Sequence, residues 1–204
     1  YDDVNYIYND KIGYVFLDDT TVHVSNEKIN SANSLWDSDM QQSSSPVFKA
    51  YIDHGVKPSN DSYAYIVVPD TTEKGISTYA NNISVTVVAN TANVQAVRHD
   101  GLKQTQINFY KAGSLEYKDG YTVTVDEPCS ILIDESGKTR KMTVAVNDQE
   151  QHQVVNVKLS YNNTQTTTSF VSQALPYAGQ SMTLNEGTDS RYQASSETDE
   201  HPVT

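Results

Sequence analysis

A carboxylic acid and an imidazole stand side by side at Asp53-His54, in the stretch YIDHGVKPSNDSYAYIVVPD over 51–70. An imidazole oriented by a carboxylate is a common general acid–base unit. Neighbouring residues of a strand point to opposite faces, however, so within a strand at 47–55 Asp53 cannot orient His54. We therefore predict a half-buried His54 bonded to the backbone of the turn that Gly55 supplies, and not a catalytic group.

The residue types that bind metal ions lack the spacing of a metal site. No two of the five histidines are three or four residues apart, and no HExxH motif occurs. Closely spaced carboxylates that could bind calcium occur at Asp2-Asp3, Asp18-Asp19 and Asp37/Asp39. They lack the ligand pattern of a dedicated calcium loop, which favours solvated turns. Serine-nucleophile and phosphate-loop motifs are absent too, so no catalytic residue, metal or cofactor is predicted.

The single cysteine, Cys129, has no partner for an internal disulfide. It lies in the apolar run VDEPCSILID over 125–134, which contains no cation that would activate a thiolate. A buried structural thiol is therefore predicted.

The single tryptophan, Trp36, lies in a polar, Ser-rich stretch over 26–46 that we interpret as a long loop. Exposed aromatic rings can pack against the apolar faces of pyranose sugars, which makes Trp36 the candidate carbohydrate-binding residue. The alternative is that the indole is buried and anchors the loop.

The charge of the chain excludes several kinds of partner. It carries 26 acidic and 14 basic residues, a formal net charge of −12. Nucleic acids and anionic membranes need clustered Lys and Arg, and no apolar stretch is long enough to span a bilayer, so neither partner is expected. The best basic candidate, GKTRK at 137–141, is interpreted as a hairpin turn with solvated charges.

Alternating apolar and polar residues, with turn signals at short spacing, predict packed antiparallel sheets. The segment 62–69 is apolar on both faces, which is typical of a central strand. The segment 71–82 fits one short helical turn capped by Thr71 or Thr72. A change in strand composition near Gly120 suggests domains at 1–120 and 121–185, followed by a polar tail at 186–204.

Taken in order, several of these segments resemble the β-sandwich portion of family 8 polysaccharide lyases, the hyaluronate, chondroitin and xanthan lyases. The segments that resemble the central sandwich are IGYVF (12–16), VFKAYIDHG…SYAYIVVP (47–69), NTANVQAVRHDGL (90–102) and INFY (107–110). Those that resemble the small C-terminal sandwich are TVTVDEPCSILID (122–134), MTVAVNDQEQ (142–151) and LPYAGQSMTL (175–184).

The resemblance implies an all-β fold of antiparallel β-sandwich sheets in two consecutive domains, the first incomplete at its N-terminus. It places the catalytic Asn, His, Tyr and Arg in an N-terminal helical toroid of the same parent protein, so none is carried over to this chain. We expect a secreted, extracellular or periplasmic, monomeric parent that cleaves an acidic polysaccharide by β-elimination. The isolated chain is expected to be inactive, and the alternatives are an independent carbohydrate-binding module and an adhesin-like surface domain.

Overall fold

The computed structural model describes residues 1–18, 20–32, 42–146, 154–162, 164–171 and 181–185, and it confirms the all-β class. The chain forms two compact units, Tyr1–Ile83 and Ser84–Thr204, which we call the first and second unit. Within the described residues, no helix is both long and apolar enough to cross a membrane.

The first unit contains two small antiparallel sheets. Its strands are β1 (Tyr6–Asn9), β2 (Ile12–Phe16), β3 (Val22–Ala32), β4 (Gln42–Ile52) and β5 (Tyr65–Val68). One sheet has the order β1-β2-β5, and the other is the two-stranded ribbon of β3 and β4. A two-stranded ribbon is barely stable alone in water, so this unit depends on what covers the ribbon.

Helix α1 (Glu73–Ala80) covers part of the three-stranded sheet. Of the two predicted caps Thr72 is the N-cap, and its hydroxyl accepts a hydrogen bond of 3.0 Å from the Gly75 amide. The helix packs through Ile76, which is fully buried against Gly13 of β2. A Cβ at Gly13 would lie 2.5 Å from Ile76 Cγ1, so a larger residue would push the helix away.

The prediction of a central strand at 62–69 is wrong. Within the described residues β5 pairs only with β2 and forms the edge of its sheet. Tyr65 and Val67, on one face of β5, are 48% and 50% exposed. The apolar residues at 62–69 therefore do not indicate an inner strand. Some of their side chains are exposed, because no described residue of this unit packs over them.

The prediction of a loop over 26–46 is wrong at both ends of that stretch, which are strands. Strands β3 and β4 pair as far as Ala32 and Gln42, with Asn30 opposite Ser44. Asn30 and Ser44 are polar and exposed, as residues of a ribbon that is solvated on both faces can be. Trp36 lies outside the described residues.

The second unit is a β-sandwich, as expected. Its strands are β6 (Val85–Asn90), β7 (Val94–His99), β8 (Gln104–Phe109), β9 (Gly113–Lys118), β10 (Tyr121–Val125), β11 (Cys129–Asp134), β12 (Lys141–Val146), β13 (Val154–Tyr161), β14 (Thr164–Val171) and β15 (Met182–Asn185). One sheet has the order β15-β12-β11-β8-β7-β6 and the other β14-β13-β10-β9.

Alternate residues of both sheets fill the core of the second unit. Ile107 and Ile131 come from the six-stranded sheet, and Val123 and Val157 from the four-stranded sheet, all within one buried cluster. The prediction for the cysteine is confirmed, since Cys129 belongs to this cluster. Burial, with a smaller contribution from the nearby Asp126 carboxylate, raises the pKa of Cys129 to about 12 and keeps the thiol protonated.

The division between the units differs from the boundary predicted near Gly120. Strands β8 and β11 lie on either side of Gly120 in the sequence, yet they pair in register in the same sheet. Gly120 instead lies in the tight turn between β9 and β10, where its φ of +72° favours glycine. The predicted tail at 186–204 lies outside the described residues.

The two units should respond differently to truncation of a strand residue. Ile131→Ala, in the core of the second unit, should lower the free energy of unfolding by roughly 2–5 kcal/mol because it leaves a cavity. Ile66→Ala, on the edge strand β5 of the first unit, should cost less. Urea titration followed by circular dichroism measures both, and equal losses would contradict the difference in burial.

Candidate functional site

The first unit contains an open groove of about 570 Å³, bounded by its two small sheets. The floor is apolar and the mouth is rich in tyrosine. The lining residues are Ile7, Tyr14, Phe16, Val22, Phe48, Lys49, Ala50, Tyr51, Ile52, His54, Tyr63 and Tyr65. A concave site of this size with aromatic walls and a few polar groups is typical of small-ligand sites.

Four rings form a continuous row along the groove, which we call the aromatic row. Successive ring centroids are 5.7 Å apart from His54 to Tyr63, 6.1 Å from Tyr63 to Tyr65, and 6.4 Å from Tyr65 to Tyr14. The rings of Tyr63 and Tyr65 are nearly parallel, at 17°. Tyr63 is 59% exposed, so part of the row faces solvent.

His54 does have a carboxylate partner, but it is not the neighbouring Asp53. The imidazole Nδ1 of His54 donates to Asp61 Oδ2 over 2.8 Å, while Asp53 Oδ1 accepts from the Gly55 amide over 2.8 Å. The prediction that Asp53 does not orient His54 is confirmed, and so is the half-buried imidazole, which is 27% exposed. The predicted bond to turn backbone is wrong, because the loop after Gly55 returns Asp61 to the ring.

No signal in the sequence would have paired His54 with Asp61, since an irregular loop separates them. The pair fixes the imidazole and leaves Nε2 as its second hydrogen-bonding atom. Such a ring can bind a ligand or accept a proton.

Lys49 borders the groove but alternates with Phe48 along β4, so its side chain shares the other face of the ribbon with Tyr51 and Glu27. The Lys49 Nζ lies 4.9 Å from the centroid of the Tyr51 ring. None of the described lining residues carries a carboxylate. Elsewhere in the described part of the chain, no three His, Cys, Asp or Glu residues come together as a metal site would require.

A second polar cluster, in the second unit, surrounds Glu135. Its carboxylate lies 3.1 Å from Arg98 Nη1, 3.3 Å from Lys118 Nζ and 3.3 Å from Arg140 Nη2, and its side chain is only 13% exposed. Burial opposes ionisation, but the hydrogen bond from Arg98 and the charges of Lys118 and Arg140 outweigh it and lower the pKa of Glu135. We call this cluster the Glu135 clasp.

The clasp includes one of the three cations of the predicted basic stretch at 137–141. The stretch does connect the hairpin of β11 and β12, as predicted. Arg140 is not solvated, however, because it binds Glu135 and lies 4.9 Å from the ring centroid of Tyr121. Tyr121 in turn stacks on Tyr161 at 4.0 Å. Arg140 therefore stabilises the sandwich, whereas Lys138 and Lys141 are exposed, as predicted.

Models of a single family match two stretches of the chain. The super-sandwich domain of polysaccharide lyase family 8 matches residues 1–80, and the C-terminal β-sandwich domain of the same family matches residues 86–155. Chondroitinase-AC from Pedobacter heparinus is 34% identical over 135 residues, covering 63% of this chain and 18% of the relative. Hyaluronate lyase from Thermasporomyces composti is 35% identical over 102 residues, covering 50% of this chain and 12% of the relative.

Solved structures give the same result. A chondroitinase AC lyase, studied as enzyme–oligosaccharide complexes, superposes with a TM-score of 0.76 at 29% identity, covering 88% of this chain and 27% of that one. Xanthan lyase from Paenibacillus superposes with a TM-score of 0.70 at 21% identity, covering 85% of this chain and 18% of that one. This match shows a shared fold. The chain thus spans about a quarter or less of these proteins.

The contact between His54 and Asp61 predicts a tautomer. Nitrogen-resolved NMR near neutral pH should find the neutral His54 ring protonated on Nδ1, and Asp61→Ala should remove that preference. His99 is the internal control, because its Nδ1 accepts a hydrogen bond from the Leu102 amide and so carries no proton. An unchanged His54 spectrum in Asp61→Ala would contradict the pairing.

The Glu135 clasp predicts a pH-dependent stability. Glu135→Gln should lower the free energy of unfolding near neutral pH by roughly 1–3 kcal/mol, because three cations lose their charged acceptor. The folded pKa of Glu135 is lowered, so its stabilisation is present at neutral pH and is lost as pH falls through that lowered pKa. Urea titrations at several pH values should show the difference between wild type and variant shrinking with acid. A pH-independent difference would show that the charge of Glu135 is not what stabilises the fold.

Proposed function

Because the chain belongs to polysaccharide lyase family 8, as a β-sandwich portion of such a lyase, we propose that it is the non-catalytic scaffold of the parent enzyme. It supports a helical catalytic toroid supplied by the same polypeptide and forms one wall of the substrate cleft. Neither nucleic acid nor a membrane is a partner in this proposal, and the parent acts as a monomer.

The observation that carries the proposal is the order of the family matches. The super-sandwich model and the C-terminal sandwich model follow one another along the chain, and both describe β-sandwich parts of a lyase. The chondroitinase relative is several times longer than this chain, which leaves room for a separate catalytic domain.

The small core of the first unit also supports a scaffold role. Its buried hydrophobic side chains among the described residues are Val15, Phe16, Val22 and Ile76. A unit with so few buried side chains is expected to gain stability by packing against a larger body. The unpaired outer edge of β5, within the described residues, offers backbone groups to such a neighbour.

The parent reaction follows from the relatives, which are chondroitin, hyaluronate and xanthan lyases from bacteria. We infer a β-elimination on a uronate-containing polysaccharide. A base removes the proton at C5 of the uronate, a double bond forms between C4 and C5, and the C4–O bond breaks as the leaving oxygen takes a proton. Such polymers are extracellular, so the parent is proposed to be secreted or periplasmic.

Trp36 remains the proposed carbohydrate-binding residue. Its position in a polar stretch fits an aromatic platform for a sugar ring. An independent carbohydrate-binding module is the second candidate function, and the observation that favours it is the partly exposed aromatic row of the first unit.

The scaffold proposal predicts that this chain alone has no eliminase activity. Incubated with hyaluronan or chondroitin sulfate, it should give no rise in the ultraviolet absorbance of the unsaturated uronate product. An active bacterial chondroitinase AC, assayed in parallel, confirms that the substrate and the detection work. A steady rise proportional to the concentration of this chain would place catalytic residues within it and overturn the scaffold proposal.

A further inference from the structure

We propose that Asp61-Ser62 is a self-modification site, at which the chain converts Asp61 to isoaspartate through a cyclic imide, with His54 as the proton donor. In isoaspartate the backbone continues through the side-chain carboxyl group. The site lies in the stretch 53–64, which belongs to no strand or helix. The reaction needs only water, so this inference stands independently of the proposed function.

The loop places the attacking nitrogen against the carboxyl group of Asp61. The Ser62 amide donates to Asp61 Oδ1 over 3.1 Å, so this nitrogen already contacts the group whose carbon it would attack. Intramolecular reactions between groups held in contact gain most of their rate from that placement. No strand pairing within the described residues includes Asp61, so its backbone can rotate as ring closure requires.

The other oxygen of the same carboxyl group contacts the proton donor. His54 Nδ1 lies 2.8 Å from Asp61 Oδ2, so an imidazolium at this position can protonate the oxygen that must leave. Imidazole changes its charge near physiological pH, and it can therefore both hold the carboxylate and release a proton to it. The Asp61 side chain is 49% exposed, which gives water access to the imide.

The atoms and charges of the step balance without a further reactant. The Ser62 nitrogen forms a bond to Asp61 Cγ, and the bond from Cγ to Oδ2 breaks. Oδ2 leaves as water with the proton of the amide and one proton of the imidazolium, so a carboxylate and a cation become a neutral imide and a neutral imidazole. Water then opens the imide. Attack at the former Cγ restores Asp61, whereas attack at the backbone carbonyl carbon gives isoaspartate.

Two Asp-Gly pairs of the described chain lack this arrangement. Glycine has no side chain to hinder attack, so Asp100-Gly101 and Asp119-Gly120 are intrinsically the more reactive sequences. Asp100 Oδ1, however, lies 2.9 Å from Arg98 Nε, and a guanidinium does not give up its proton. The Gly120 amide donates over 3.0 Å to the carboxylate of Glu116, and not to that of Asp119. The fold therefore favours the intrinsically slower Asp61.

Conversion would change one wall of the groove. Isoaspartate adds a methylene to the backbone and moves the carboxylate, so the product loses the contact of 2.8 Å with His54 Nδ1. His54 lines the groove, and its imidazole would then have no fixed tautomer. The modification thus removes the link by which the loop after Gly55 returns to the imidazole.

The test follows the isomers over time in the whole chain, incubated in mildly acidic buffer in which imidazoles are partly protonated. After proteolysis, chromatography with electron-transfer fragmentation distinguishes aspartate from isoaspartate at each position. In the folded chain we expect isoaspartate to accumulate faster at Asp61 than at Asp100 or Asp119. In concentrated urea, which removes the contacts of the fold, the order should reverse and the two Asp-Gly sites should react faster.

Two variants separate proton donation from positioning. His54→Ala should slow conversion of Asp61 by at least roughly tenfold, because it removes the acid. His54→Gln retains a hydrogen-bond donor without a transferable proton, so it should be as slow, and it keeps the test valid if His54→Ala does not fold by circular dichroism. His99→Gln, in the second unit, is the matched control and should leave the rate at Asp61 unchanged.

Two results would overturn the inference. The first is a folded chain in which Asp61 converts no faster than the Asp-Gly sites. The second is a wild-type rate in His54→Gln, which would show that His54 only positions the carboxyl group. Neither result bears on the scaffold role, which the eliminase assay tests separately.

Discussion

An apolar sheet face must be covered, and the two units meet this constraint in different ways. In the second unit, two sheets of six and four strands face each other, and alternate side chains from both fill one core. In the first unit, a three-stranded sheet and a two-stranded ribbon bury few side chains and leave a groove between them. The second unit can therefore be stable by itself, whereas the first unit buries few side chains within the described residues.

Within the second unit, burial by itself does not align the sheets, because hydrophobic contact has no preferred direction. The Glu135 clasp adds directional contacts at one corner of the sandwich. It joins Arg98 of β7 in one sheet to Lys118 of β9 in the other through a single carboxylate that is mostly shielded from water. Removing one partner of such a cluster leaves the others uncompensated, so the residues act together.

In the first unit, few residues pack over the apolar faces of the two sheets. This limits the stability of the unit and leaves the groove that forms the candidate site. Tyrosine suits this position, because its ring can contact an apolar surface while its hydroxyl stays hydrated. The site is assembled from β2, β4, β5 and the loop that returns Asp61 to His54.

The sequence by itself determined the all-β class, the buried Cys129, a helical segment capped by Thr71 or Thr72, and the family, because each depends on local periodicity, composition or an ordered set of motifs. It also excluded Asp53 as the partner of His54, since the alternation of a strand is a local rule. Only the tertiary structure decided that β5 is an edge strand, that the division falls at Ile83 and not at Gly120, and that Asp61 and Glu135 reach their partners. Strand order and loop closure join residues distant in sequence, and the pattern of a single strand contains no information about its neighbours.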